Sequence, residues 1–164
     1  MDLVQKMLEA NAGYVSGHGH RELDTQPVKH LAVVTCMDSR IDAFSALGLD
    51  LGEAHILRNA GGVVTDDTIR SLTLSQRALG TRHIVLIHHT RCGLLGVDED
   101  DFRQQMLEET GMKPPWSLEA FTDLEADLRS SVTRVKTSPY LPYRDSVYGL
   151  ILDVDSGELI PIDV

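Results

Sequence analysis

Apolar residues in this chain alternate between short continuous runs and stripes at helical spacing, and that alternation predicts an α/β fold. The run Leu-Ala-Val-Val-Thr at 31–35 has no polar face, as expected of a strand buried on both sides of a parallel sheet, and it delivers Cys36 at its end. Ala-His-Ile-Leu-Arg at 54–58 and Arg-His-Ile-Val-Leu-Ile at 82–87 read as two further strands. Between the first two, Ile41, Phe44 and Leu47 recur every three residues before Gly48, giving a short helix with a glycine stop. A turn at 59–62 (Asn-Ala-Gly-Gly) precedes a helix opened by Asp66 and Asp67, with Ile69, Leu72 and Leu79 on one side and Gly80 at its end. Residues 98–109 predict another helix closed by Gly111, and Pro114-Pro115 marks a loop. Ser117 is expected to cap a longer helix carrying Leu118, Phe121, Leu124, Leu128, Val132 and Val135. Residues 147–153 and 159–160 flank Ser156-Gly157 as a terminal hairpin. Leu3, Val4, Met7 and Leu8 form a stripe on an N-terminal helical arm, followed by a loop at 17–20 (Gly-His-Gly-His).

Strand, helix, strand, helix, strand implies right-handed crossovers around an open sheet with a parallel core. Placing the first strand between the second and third gives the order 2-1-3-4, with an antiparallel edge strand beyond and helices on both faces. Strands one and three then flank a topological switch point, where open α/β sheets bind ligands outside the carboxyl ends of their strands. No repeat, low-complexity segment or linker divides the sequence, so residues 1–164 read as a single domain.

Composition narrows the function. With 42% hydrophobic and 24% charged residues in 164, the chain can bury a core, which argues against disorder and coiled coils. A formal net charge of −10 argues against nucleic acid and anionic membrane partners, both of which demand basic patches, and leaves small neutral or anionic molecules. The first residues lack the basic start and apolar run of a signal peptide, and no apolar stretch approaches the roughly 20 residues that span a bilayer, so a cytoplasmic protein is expected. Only two cysteines are present, and in that setting metal binding is a better use for them than one disulfide.

Both cysteines lie at strand ends, in Cys-Met-Asp-Ser-Arg at 36–40 and His-His-Thr-Arg-Cys at 88–92. A lone cysteine there is most often a small buried hydrophobe, and a lone His-x-x-Cys is a weak signal. Two thiols and an imidazole brought to one crevice are a zinc ligand set, which makes Cys36, His89 and Cys92 the candidate ligands. Three protein ligands leave a tetrahedral ion one position short, the mark of a catalytic site. Asp38 and Arg40 would be worth little as an exposed ion pair, but beside a ligand Arg40 can fork Asp38 and hold it ionised. Without that contact Asp38 becomes a conditional fourth ligand. His88 should face away from His89 and serve structure. His18 and His20 in a glycine loop read as solvated. The acidic run at 98–101 is a helix start and not a calcium loop, because Phe102 and Arg103 stand where a ligand and the obligatory glycine belong.

Cys-x-Asp-x-Arg at 36–40, Arg-Asn-Ala-Gly at 58–61 and His-x-x-Cys-Gly at 89–93 together resemble the β-class carbonic anhydrases, as a compact member. The resemblance implies Zn2+ on Cys36, His89 and Cys92, catalysis by an Asp38–Arg40 dyad, and a substrate pocket near Ala60 and Gly93. It also implies a homodimer, or a dimer of dimers (a homotetramer), whose N-terminal helices embrace the partner. His88 replaces the glycine that many relatives carry. Val33 stands where members with a regulatory bicarbonate site have Trp, so Arg58 lacks its usual partner there. The implied reaction is reversible hydration of carbon dioxide to bicarbonate by a zinc-bound hydroxide, a lyase activity of the carbonate dehydratase type. The alternatives are a carbonyl sulfide or carbon disulfide hydrolase on the same zinc site and, in another class, a non-catalytic zinc-stabilised interaction domain.

Overall fold

The computed structural model describes residues 2–18 and 22–164. Its centre is a five-stranded sheet built from β1 (Leu31–Cys36), β2 (Ala54–Asn59), β3 (His83–His89), β4 (Val147–Leu152) and β5 (Leu159–Ile162), in the order β2-β1-β3-β4-β5. All neighbours are parallel except β4 and β5. This is the order expected from the sequence, with β5 as the antiparallel edge.

The alternation of β1 explains its central place. Ala32 and Val34 enter one core cluster with Leu72, Ile84, Leu86, Leu128, Val132 and Val135, supplied by α3 (Asp66–Arg77), β3 and α5 (Leu124–Thr137). Val33 and Cys36 enter the other, with Ile41, Ala43, Val63, Ile87, Leu94 and Phe121. A strand with two dry faces can only be interior, which forces β2 and β3 onto opposite sides of it.

Three of the differences from the expected boundaries stand out. β3 runs on to His89, so His88 and His89 belong to the strand. α1 (Leu3–His18) continues four turns, past Gly13, and none of its residues is buried; His20 lies outside the described residues. The most instructive difference is at α5, which starts at Leu124 with Asp123 as its cap, accepting from the Ala126 N–H. Residues 117–121 are instead an irregular segment: Glu119 sits at φ 59, and Glu99 at the start of α4 (Glu99–Thr110) accepts from the Ser117 hydroxyl and the Leu118 N–H. Leu118 and Phe121 keep helical spacing because they pack inward, not because they are helical.

Candidate metal centre

β1 and β3 pair in register, Thr35 against Ile87, so their carboxyl ends emerge side by side. Cys36 ends β1 and His89 ends β3. Arg91, at φ 52, turns the chain back through the left-handed region and returns Cys92 to the same point. The ligand atoms of Cys36, His89 and Cys92 all lie within 4.8 Å of one another, and all three residues are buried. Among the described residues this is the one such group, and His18 has no part in it.

These donors fit a thiophilic cation. His89 donates from Nδ1 to the Thr90 carbonyl at 2.9 Å, which leaves the lone pair on Nε2, a buried atom to which no protein group completes a hydrogen bond. Burial raises the Cys36 thiol, but the His89 side chain and the N–H groups of Asp38 and Gly61 outweigh it and bring the pKa down to about 7. Burial pushes the Cys92 thiol up, reinforced by Cys36 and Asp38 nearby. Two crowded thiols with opposing proton affinities beside an unpaired imidazole nitrogen are the arrangement a cation would relieve.

Asp38 and Arg40 meet as the sequence suggested. Arg40 Nε donates to Asp38 Oδ1 at 2.9 Å and Nη2 to Oδ2 at 2.7 Å, while the Arg40 N–H adds a third bond to Oδ1 at 3.0 Å. The side-chain and backbone donors of Arg40 hold the Asp38 carboxyl well below the usual carboxylate range. Asp38 Oδ2 lies 3.9 Å from His89 Nε2, so this carboxylate faces the ligand cluster. Arg58 braces the same segment from β2, donating to the Cys36 carbonyl at 2.9 Å and the Asp38 carbonyl at 2.7 Å.

A cavity of about 370 Å³ opens on this cluster, lined by Cys36, Asp38, Ala60, Gly61, Cys92 and Gly93 and walled by Met37, Leu94, Val97, Phe102 and Leu118. Both residues singled out as pocket positions, Ala60 and Gly93, line it. The turn that places Ala60 is a wedge: a Cβ on Gly62, which has φ 71, would lie 2.9 Å from the Cys36 nitrogen and 3.1 Å from the Ile87 carbonyl oxygen. Only glycine lets this turn press against the ends of β1 and β3.

The profile of the carbonic anhydrase family matches residues 31–133. Over 159 residues the chain is 46% identical to β-carbonic anhydrase 1 of Mycobacterium tuberculosis, covering 97% of both proteins. The chain belongs to the β-class carbonic anhydrases. A crystal structure of a carbonic anhydrase from Streptococcus mutans matches this β-class chain with a TM-score of 0.93 and 41% identity over 99% of each chain. A carbon disulfide hydrolase of Acidithiobacillus thiooxidans is 30% identical over 182 residues, 98% of this chain and 91% of that protein.

Several contributors to this β-class site escaped sequence reasoning. The apolar wall from Met37 to Leu118 comes from four separate segments and carries no motif. Arg58 had a signal in its place before the 59–62 turn, but its hydrogen bonds to the Cys36 and Asp38 carbonyls had none. His88 faces away from the ligands, where Nε2 meets Asp127 of α5 at 2.7 Å and the ring stacks on Phe121.

Proposed function

We propose that this chain hydrates carbon dioxide reversibly to bicarbonate as a zinc lyase, with residues 1–164 acting as one catalytic domain. Cys36, His89 and Cys92 hold the zinc, and Asp38 and Arg40 form the catalytic dyad. The observation that carries this reading is the Arg40–Asp38 fork beside three convergent ligand atoms, because a purely structural site gains nothing from an oriented carboxylate at its edge. Zinc, when bound, supplies a Lewis acid that acidifies water and furnishes a nucleophile at neutral pH.

The protein does the rest. Asp38, kept ionised by Arg40, can only accept, so it holds the proton-bearing side of the nucleophile and leaves a lone pair aimed at the substrate. The fork also commits Asp38 Oδ2 to Arg40, which would keep the carboxylate from serving as a further ligand to a bound zinc. The walls of Met37, Leu94, Val97, Phe102 and Leu118 favour a neutral linear molecule over water, next to Ala60 and Gly93.

The second reading is hydrolysis of carbonyl sulfide or carbon disulfide, supported by the carbon disulfide hydrolase relative and by the apolar cavity. Both readings are tested by stopped-flow hydration and sulfide release in parallel, on metal-quantified protein from about pH 6 to 9. Rapid hydration with negligible sulfide supports the first reading. Preferential sulfide release supports the second, and neither activity in zinc-loaded protein defeats both in favour of a non-catalytic domain.

α1 leaves Leu3, Val4, Met7, Leu8, Tyr14 and Val15 exposed at helical spacing, which supports assembly through this arm into a homodimer or dimer of dimers. No helix among the described residues is long and apolar enough to cross a membrane. That and the net charge of −10 support a cytoplasmic enzyme without nucleic acid or membrane partners.

A further inference from the structure

Between His89 and Cys92 the chain presents two consecutive carbonyls to two different parts of the site. The Thr90 carbonyl accepts from His89 Nδ1 at 2.9 Å, and the Arg91 carbonyl accepts from Arg40 Nη2 at 2.9 Å. That same Nη2 is the donor that reaches Asp38 Oδ2 at 2.7 Å. One guanidinium nitrogen is thus shared between the Arg91 backbone and the Asp38 carboxylate, and its direction depends on where that backbone stands. Arg91 adopts φ 52, a conformation that a residue with a Cβ holds only when its surroundings impose it.

What imposes it comes from the neighbouring strand β4 and the turn that follows it. The Thr90 N–H donates to the Leu152 carbonyl at 3.0 Å, and the Thr90 hydroxyl accepts from the Val154 N–H at 3.1 Å. Arg91 also pairs with Asp155 on the same turn. Both of those side chains are mostly exposed, so that pair contributes little, and the half-buried hydroxyl is the side-chain tie of consequence beside the Thr90 N–H bond to β4. The end of β4 and the turn that follows it therefore fix the segment that aims both carbonyls.

We propose that Thr90 is a positioning residue: its hydroxyl anchors the 89–92 segment to the β4–β5 turn, so that His89 keeps its Nε2 lone pair on the ligand cluster and Arg40 keeps Asp38 away from the fourth ligand position. The inference rests on the reading above of Cys36, His89 and Cys92 as ligands, and its test separates the two. Thr90→Val removes the hydroxyl at constant shape, and Thr90→Ser retains it. Each is compared with wild type for zinc affinity by chelator competition, for carbon dioxide hydration, and, after cobalt substitution, for azide affinity from the visible d–d bands, which report whether the fourth position accepts an outside anion.

In Thr90→Val, zinc affinity, kcat and azide affinity should each fall about tenfold with KM little changed, and Thr90→Ser should return all of them to within about twofold of wild type. A Thr90→Val protein equal to wild type overturns the proposal. So does a Thr90→Ser protein as impaired as Thr90→Val, because the lost methyl and not the hydroxyl would then matter. A wild type that fails to hydrate carbon dioxide yet takes azide refutes the substrate reading alone, and the cobalt arm still decides the role of Thr90.

Discussion

Asp38 and Arg40 share three hydrogen bonds, so the proposed reading has them act in catalysis as a unit. Asp38→Asn and Arg40→Gln should each lower kcat for hydration by about 100-fold with zinc content unchanged, and the double variant should be no worse than the poorer single one. Independent, multiplying losses would show that the two do not act as a unit. At this scale the sequence was most informative where local spacing decides contact. Asp38 and Arg40 are two residues apart and could find each other without help from the fold. Cys36 and His89 could be brought together only by inferring that β1 and β3 are neighbours, which the two dry faces of β1 allowed. Thr90, Asp127 and the hydrogen bonds of Arg58 to the Cys36 and Asp38 carbonyls stayed hidden because each depends on partners supplied by other strands or helices.

Among the elements, the segment at 117–121 carries a wall of the cavity on a tether that titrates. Ser117 and the Leu118 backbone hold the Glu99 carboxyl below its ordinary value of 4.5. A folded pKa below the unfolded one means that this contact stabilises fully above the ordinary value and is lost as pH falls through the lower, folded one. Trp116, the only tryptophan, adjoins the tether and reports on it. Its fluorescence should show an acid transition below pH 4.5, and Glu99→Ala should abolish that transition while leaving the segment loose at neutral pH. An unchanged transition in the variant would assign the event elsewhere. Glu99 is also why the start of α5 was misread: Ser117 looks like a cap, but its hydroxyl is engaged by a helix lying earlier in the chain. The 59–62 turn is the less forgiving element. Gly62→Ala should cost about 2–4 kcal/mol in urea denaturation, from the left-handed φ together with backbone contacts that have no flexible side chain to yield.

For the whole molecule, the proposed roles of α1 in assembly and of the ligand cluster in stability are each open to a direct test. Met7→Glu with Leu8→Glu places charges on a stripe otherwise made of apolar side chains, and sedimentation should show self-association weakened by about 100-fold or more. Retained association would mean that assembly uses another face. Stripping the metal removes a ligand that binds only the folded chain, so the melting temperature should fall by about 10 °C or more and recover on adding zinc.

Cys36 and Cys92 tie metal content to chemical durability. They are the only thiols in the chain, and both are buried against each other at the ligand cluster. Thiolates engaged by a metal are poor targets for oxidants and alkylating reagents, and Cys36, whose pKa is brought down to about 7, is the better target of the two when left bare. Demetallation and oxidative inactivation would then be two routes to the same damaged molecule. A simple count of reactive sulfhydryls, none per loaded chain and led by Cys36 in an empty one, would measure how much of a preparation is fit to work.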